Sequence, residues 1–209
     1  MALITTDLPK CKLATAISEC LPFLSMEGGP WVAGGAVRRI HEGDGLSFSD
    51  VDVFFPNLEL HQWAVKLFDD RLKDKKVWSP VHIVERRDAP MSVTFDVLFE
   101  GTKLPIQFVS KKYFPTLEAV LDDFDFTLAM FGSDGEKMVY DERAPVDLAA
   151  KRLVLHQFPK RPKPNRLAKY VAQGFVPAPG VLAHMLGAHI KADWFQPNKG
   201  LVYDYVDNY

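Results

Sequence analysis

Two aspartates, Asp50 and Asp52, stand in the run Asp50-Val51-Asp52-Val53-Phe54-Phe55, and Asp50 follows Gly35 of the pair Gly34-Gly35 by fifteen residues. In a strand, residues i and i+2 share a face, so both carboxylates project together while Val51 and Val53 face the core. Two carboxylates on one edge offer the oxygen-rich coordination that Mg²⁺ or Mn²⁺ takes. The glycines do separate work. Lacking a Cβ, they let backbone amides approach a polyphosphate, and the helix expected after them adds a favourable dipole. Arg38 and Arg39 on that helix bring positive charge. Asp50 and Asp52 are therefore the candidate catalytic metal ligands, and Gly34, Gly35 and Arg38 the candidate triphosphate ligands. A triphosphate held beside such a strand is arranged for in-line nucleotidyl transfer. A glycine pair alone is a common turn and a DxD alone is more often a solvated loop. Order, spacing and the apolar frame carry the reading.

Several elements must position these residues. Residues 11–24 have helical period, and Trp31-Val32-Ala33 reads as a short buried strand that re-enters as a helix through Ala36–Ile40. Asp50–Phe55 is a strand ended by Pro56, and Asn57 is the expected N-cap of a long amphipathic helix. Ser92–Phe99 and Pro105–Ser110 read as a hairpin. A helix over Thr116–Asp122 leads to a second β pair, Phe126–Phe131 and Lys137–Tyr140, turning at Ser133-Asp134-Gly135. From about residue 144 the chain reads as helical, interrupted by the proline-rich Phe158–Pro164. The expected organisation is a mixed α and β head over residues 1–157 and a helical annex over 158–209.

Lys and Arg number 25 against 27 Asp and Glu, a net charge of −2 that hides an asymmetry. Nine acids fall between Glu118 and Asp147, whereas Leu148–Ala192 has no acid and eight basic residues. Such a basic segment is either a phosphate or nucleic-acid surface or an internal complement to the acidic stretch. Arg166 and Lys169 share a helix face and are candidate contacts for a triphosphate or an RNA backbone. Cys11 and Cys20 have neither CxxC spacing nor a nearby histidine, so two reduced thiols are expected rather than a zinc site. The N-terminus lacks a signal-peptide core, and prolines, glycines and histidines interrupt the charge-free stretch Tyr170–Ile190, so a cytoplasmic protein without a membrane span is expected.

Gly34-Gly35-Ala36-Val37-Arg38 with Asp50-Val51-Asp52-Val53 resembles the GGxVRD…DxD signature of the polymerase β-type nucleotidyltransferases, nearest the branch of bacterial poly(A) polymerases and CCA-adding enzymes. The resemblance continues in order through Ser92–Ser110, Asp125-Phe126-Thr127-Leu128-Ala129, Gly135–Asp141, Asp147-Leu148 with Lys151-Arg152-Leu153, and Arg166–Phe175, a likeness to the neck helix. It implies an α+β fold, a mixed β-sheet flanked by helices. The departures are specific. Arg39 replaces the family's Asp, Asp123-Phe124 its paired arginines, and Ala129 its Asn. At the third acidic position the alignment places Gln107, with Asp96 on the partner strand as the substitute. No EDxxR-like base-reading motif is found. The series GGA…DVDVFF…Q…FDF is also similar to compact phage-encoded members, which implies a phage origin and a host cytoplasm.

Two functions follow. One is a Mg²⁺-dependent transfer of NMP from an NTP to a hydroxyl on RNA, protein or a small molecule. The other is a catalytically degenerate module on the same fold that binds nucleotide, RNA or a host protein. His41 and His61 are expected on solvent-facing helix positions, Asp125 in a structural contact with the annex, and the Tyr203/Tyr205/Tyr209 tail docked on the core.

Overall fold

The structure, a computed structural model, describes residues 1–43, 50–73, 81–156 and 164–184. In chain order the elements are β1 (Leu3–Asp7), α1 (Lys12–Cys20), β2 (Trp31–Ala33), α2 (Gly35–Glu42), β3 (Val51–Phe54), α3 (Leu58–Lys73), β4 (Val81–Ala89), β5 (Ser92–Phe99), β6 (Thr102–Val109) and α4 (Leu117–Asp122). After a 3-10 turn at Thr127–Ala129 come β7 (Phe131–Ser133), β8 (Lys137–Asp141), α5 (Arg143–Ala149), β9 (Arg152–Leu153), α6 (Pro164–Ala172) and β10 (Val176–Pro177). The proline-rich segment up to residue 163, His189 and the tyrosine tail lie outside the described residues.

Eight strands form one mixed sheet in the order β1-β8-β7-β2-β3-β6-β5-β4. All neighbours are antiparallel except β3 and β6, which run parallel. The sheet is built by alternation. Val51 and Val53 of β3, Ile106 and Phe108 of β6, and Phe95 and Val97 of β5 are fully buried on one face. Leu13 and Ile17 of α1 and Ala64 and Phe68 of α3 bury with them, the Phe68 ring 4.9 Å from Phe108 and 5.1 Å from Phe95. Asn57 caps α3 through its Oδ1, which accepts from Leu60 N at 2.9 Å. Thr116 does the same for α4 at Ala119 N. The opposite face of β3, β6 and β5 carries the polar residues.

The histidine expectations are overturned. His61 is buried on the inner side of α3 against Phe55, and burial pushes its pKa down. His41 is half-buried, its ring 5.0 Å from Phe131 and 5.7 Å from Tyr140. The expected strand Phe126–Phe131 is also corrected: only Phe131 onward pairs in the sheet. Thr127 N donates to Val154 O instead, and its side chain to Asp147, which draws the segment into a 3-10 turn. Nor is the chain wholly helical beyond residue 144. β9 and β10 form a parallel pair that ties α6 back to the head, where Leu167, Phe175 and Val181 join the core.

One glycine of β7 is there for space. A Cβ on Gly132 would lie 2.5 Å from Leu117 Cδ1 and 3.2 Å from its Cγ, and Leu117 is itself buried. Gly132→Ala is expected to cost about 1–3 kcal/mol by overpacking, read as a lower midpoint in denaturant melts. An unchanged midpoint would mean that α4 shifts freely on the sheet.

Candidate active site

β3 places the two candidate carboxylates at the sheet's middle. Val51 and Val53 anchor the strand, leaving Asp52 and Phe54 half-buried on the other face, with Asp50 half-buried just before it. The Asp52 carboxyl is pushed up to about 7, first by burial and then by the neighbouring Asp50 charge. The Lys169 and Arg166 charges of α6 act on it in the opposite direction. Residues from distant parts of the sequence thus share one electrostatic site: Asp50, Asp52, Arg166 and Lys169. Arg166 also bonds Asp125 at 2.6 Å, so Asp125 ties α6 to the segment before the 3-10 turn.

The parallel register sets Gln107 of β6 directly beside Asp52, with Thr94 of β5 and Arg87 of β4 continuing the row. Gln107 is buried and donates from Nε2 to Ser92 Oγ at 3.1 Å. That leaves its amide carbonyl as the neutral oxygen at this position. Asp96 lies opposite Pro105, two positions away from Gln107 along β6. It is fully buried, with Arg87 2.6 Å and Lys103 2.5 Å from its oxygens. These two cations hold its carboxyl below the usual range against the effect of burial. Its charge is committed to them, which leaves Gln107 as the residue beside the aspartates.

The glycine turn divides its labour differently from the sequence expectation. Gly34 precedes α2 at φ 86° and ψ −136°, a positive-φ conformation outside the left-handed helical region that costs an L side chain about 1–3 kcal/mol. Its N–H is already donated to Phe131 O at 2.7 Å, so it is not a phosphate donor. Its Cα faces the Phe124 ring, which would stand 3.5 Å from a Cβ there. The amides following Gly34 in the first turn of α2 are the ones a helix leaves without internal partners. Arg38 is buried beneath α6, its Cζ 5.8 Å from the Tyr170 ring and 5.7 Å from that of Phe175. Sequence reasoning missed this use of Arg38, as well as Phe124 and Arg87. The aromatic spacing in Tyr170–Phe175 was the available signal for the first.

The acidic and basic stretches are in part each other's complement, since Arg152 bonds Asp147 and Arg166 bonds Asp125. Lys169 and Arg166 are the basic residues of α6 that act on Asp52. The donor set of Asp50, Asp52 and the Gln107 carbonyl is all hard oxygen, and the charge conflict at Asp52 is what a divalent cation relieves. The residues present therefore suit Mg²⁺ or Mn²⁺ in chemistry. Among the described residues no group of three or more His, Cys, Asp or Glu side chains converges as a metal cluster.

A family model for Gabija anti-defense 2 proteins matches residues 11–151, more than half of the chain. The chain belongs to the Gabija anti-defense 2 family. The fold of this Gabija anti-defense 2 protein is similar to part of the CCA-adding enzyme fold. It is similar to the Thermotoga maritima CCA-adding enzyme complexed with tRNA, at 19% identity and a TM-score of 0.54, covering 90% of this chain and 46% of that one. A CCA-adding enzyme complexed with CTP gives 18% identity and a TM-score of 0.53, covering 91% of this chain and 46% of that one. An apo form gives 18% and 0.53, covering 86% of this chain and 41% of that one. The chain thus spans less than half the length of these enzymes. No curated protein matches it. Among the described residues no helix is long and apolar enough to cross a membrane.

Proposed function

We propose that this protein is a divalent-cation-dependent nucleotidyltransferase, moving NMP from an NTP to a hydroxyl acceptor, and that this transfer is its anti-defense act. The observation that carries the reading is Asp52 on β3, its carboxyl raised by burial and by the Asp50 charge just before the strand, with the Lys169 and Arg166 charges of α6 opposing that rise. Isolated surface carboxylates have no need of such a setting. An arrangement with this charge conflict is built for a cation and a polyphosphate.

In the proposed reaction the acceptor hydroxyl gives up its proton to solvent as its oxygen attacks the α-phosphorus, the bond to the α–β bridging oxygen breaks, and pyrophosphate leaves. Asp50 and Asp52 would hold the cation, with the Gln107 carbonyl beside them. When bound, the ion polarises the phosphoryl group and neutralises charge. The first turn of α2 faces the phosphates with its amides and positive dipole end. Arg166 and Lys169 place positive charge against the departing pyrophosphate. The acceptor is a hydroxyl on RNA, protein or a small molecule in a host cytoplasm. A phage origin belongs to the same proposal, since an anti-defense protein is what an invading genome carries. The head at 1–157 would supply the chemistry and the annex at 158–209 the cover.

One observation favours a second reading. Gln107 brings no charge where the related enzymes are expected to have a third carboxylate, which suits a module that binds a nucleotide without turning it over. The test is incubation with each α-labelled NTP, Mg²⁺ or Mn²⁺, and total RNA or lysate, alongside the Asp50→Asn/Asp52→Asn variant. Label transfer by the wild type alone is expected. Transfer that persists in the double variant overturns the two-carboxylate reaction, and nucleotide binding without transfer to any acceptor establishes the module.

A further inference from the structure

Centres that use two cations for phosphoryl transfer hold their ions about 3.5–4 Å apart. At that separation two divalent ions repel about four times as strongly as two unit charges. Negative charge in the ligand set has to offset this repulsion. The carboxylates within reach therefore bound the number of ions that a site keeps.

Around Asp52 that charge is counted residue by residue. Asp50 and Asp52 supply two carboxylates, one just before β3 and one on it. The position beside Asp52 on β6 is filled by Gln107, which brings an oxygen without a charge. Gln107 is buried, and its Nε2 donates to Ser92 Oγ at 3.1 Å, so the amide is held in the row. Asp96 of β5 is fully buried, with Arg87 at 2.6 Å and Lys103 at 2.5 Å closing on its two oxygens. Asp125 is bound by Arg166 at 2.6 Å. Among the described residues no third acid joins the pair in a cluster. When ionised, two carboxylates and one amide carbonyl carry −2, which one divalent ion neutralises in full. A second ion would bring its whole charge uncompensated.

The helix α6 adds positive charge to the same place. Lys169 and Arg166 both act on Asp52, and Arg166 shares its charge with Asp125. Lys169, exposed three residues further on and on the same helix face, brings its charge undivided. An ammonium on a four-carbon stem is a compact, mobile point charge and a common phosphate ligand. Charge neutralisation at the leaving oxygen is what the second ion of a two-cation centre provides. A lysine beside a one-ion site provides it without the repulsion.

We propose that the Asp50–Asp52 centre takes a single divalent cation, and that Lys169 supplies to the leaving pyrophosphate the charge that a second ion would bring. This rests on the reading that Asp50 and Asp52 hold a divalent ion for nucleotidyl transfer. Gln107 is then the residue that sets the ion count, and Lys169 the residue that completes the charge.

The count is read by electron paramagnetic resonance of Mn²⁺ bound to the full chain, with and without each α,β-methylene NTP, whose α–β linkage resists transfer. Two Mn²⁺ ions as close as a two-cation centre holds them are spin-coupled, whereas a lone ion keeps its uncoupled hyperfine pattern. The wild type is expected to bind one uncoupled Mn²⁺ per chain, lost in Asp50→Asn/Asp52→Asn. Gln107→Glu, which restores a third carboxylate at the same reach, is expected to gain the coupled signal. Lys169→Met is expected to keep the wild-type Mn²⁺ count while binding the methylene analogues about tenfold more weakly, the loss of one charged contact. A spin-coupled pair in the wild type overturns the single-cation proposal and leaves the two-carboxylate reaction standing. Mn²⁺ binding that is absent, or unchanged in the double variant, overturns the parent reading instead. Unaltered analogue binding by Lys169→Met overturns the role given to Lys169. The wild-type spectrum decides the count even where Gln107→Glu does not fold, and a folded Gln107→Glu without coupling overturns the role given to Gln107.

Discussion

Asp52→Asn is expected to abolish label transfer while making the metal-free protein more stable. On transfer, a loss of 100-fold or more is expected, about 2.7 kcal/mol of barrier, because the cation loses one of its two carboxylates. On stability the sign is opposite. Burial and the Asp50 charge push the folded Asp52 carboxyl up to about 7 from its ordinary value of 3.8. Between those values the native state keeps a proton that the unfolded chain has released, so stability falls as pH rises through that window. Each unit is worth about 1.4 kcal/mol. Because the carboxyl retains some solvent contact, a total of about 1–3 kcal/mol is the reasonable scale. Melts in chelator at pH 4 and pH 8 read this directly. The variant and the wild type should differ little at pH 4, and the variant should melt higher at pH 8. Added Mg²⁺ should raise the wild type more than the variant, since a ligand that binds only the native state stabilises it. A variant that melts lower than wild type at pH 8 would mean that Asp52 is structural and not in conflict with Asp50.

The second large effect is structural and lies away from the carboxylate pair. Asp147 is 2% exposed and accepts from Thr127 Oγ1 at 2.6 Å and from Arg152 at 3.0 and 2.5 Å. It joins α5, the 3-10 turn and β9, and Thr127 is fully buried. Asp147→Ala leaves the buried Thr127 hydroxyl only its long contact to Val154 O, 3.4 Å, and releases Arg152. Removing one partner of a buried pair costs about 3–5 kcal/mol. Arg152 is half exposed, which lowers the expected loss to about 2–4 kcal/mol. For a chain of this length that is a fall on the order of 5–15 °C in Tm. Asp147→Asn, which keeps an acceptor for Thr127, should fall between the two. A Tm within about 2 °C of wild type for Asp147→Ala would show that the three elements are held by apolar packing alone.

The elements with strong local signals were legible in sequence. Val51 and Val53 alternate with Asp50 and Asp52, so one buried face dictates where the carboxylates point. Asn57 and Thr116 cap their helices as their side chains predict. β1 and β4 were not read, because they are edge strands with mostly exposed side chains. β4 carries Glu85, Arg86, Arg87 and Asp88, and its pairing with β5 is what makes it a strand. Phe126–Phe131 misled for the converse reason: its aromatic residues suit a strand, but Asp147 and Val154 claim Thr127 first.

At the candidate site, the sequence by itself determined the chemical types: two carboxylates on one face, a glycine turn before a helix, and a neutral amide where a third acid was expected. Those follow from side-chain identity and from strand and helix periods, which are local. Only the tertiary structure decided the partners. The parallel register of β3 and β6 put Gln107 beside Asp52, and ion pairs with Arg87 and Lys103 occupied Asp96. The packing of α6 sent Lys169 toward Asp52 and buried Arg38 under Tyr170 and Phe175. Charge interaction depends on distance and on exclusion of water, and residues more than a hundred positions apart acquire both only when the sheet and the annex close together.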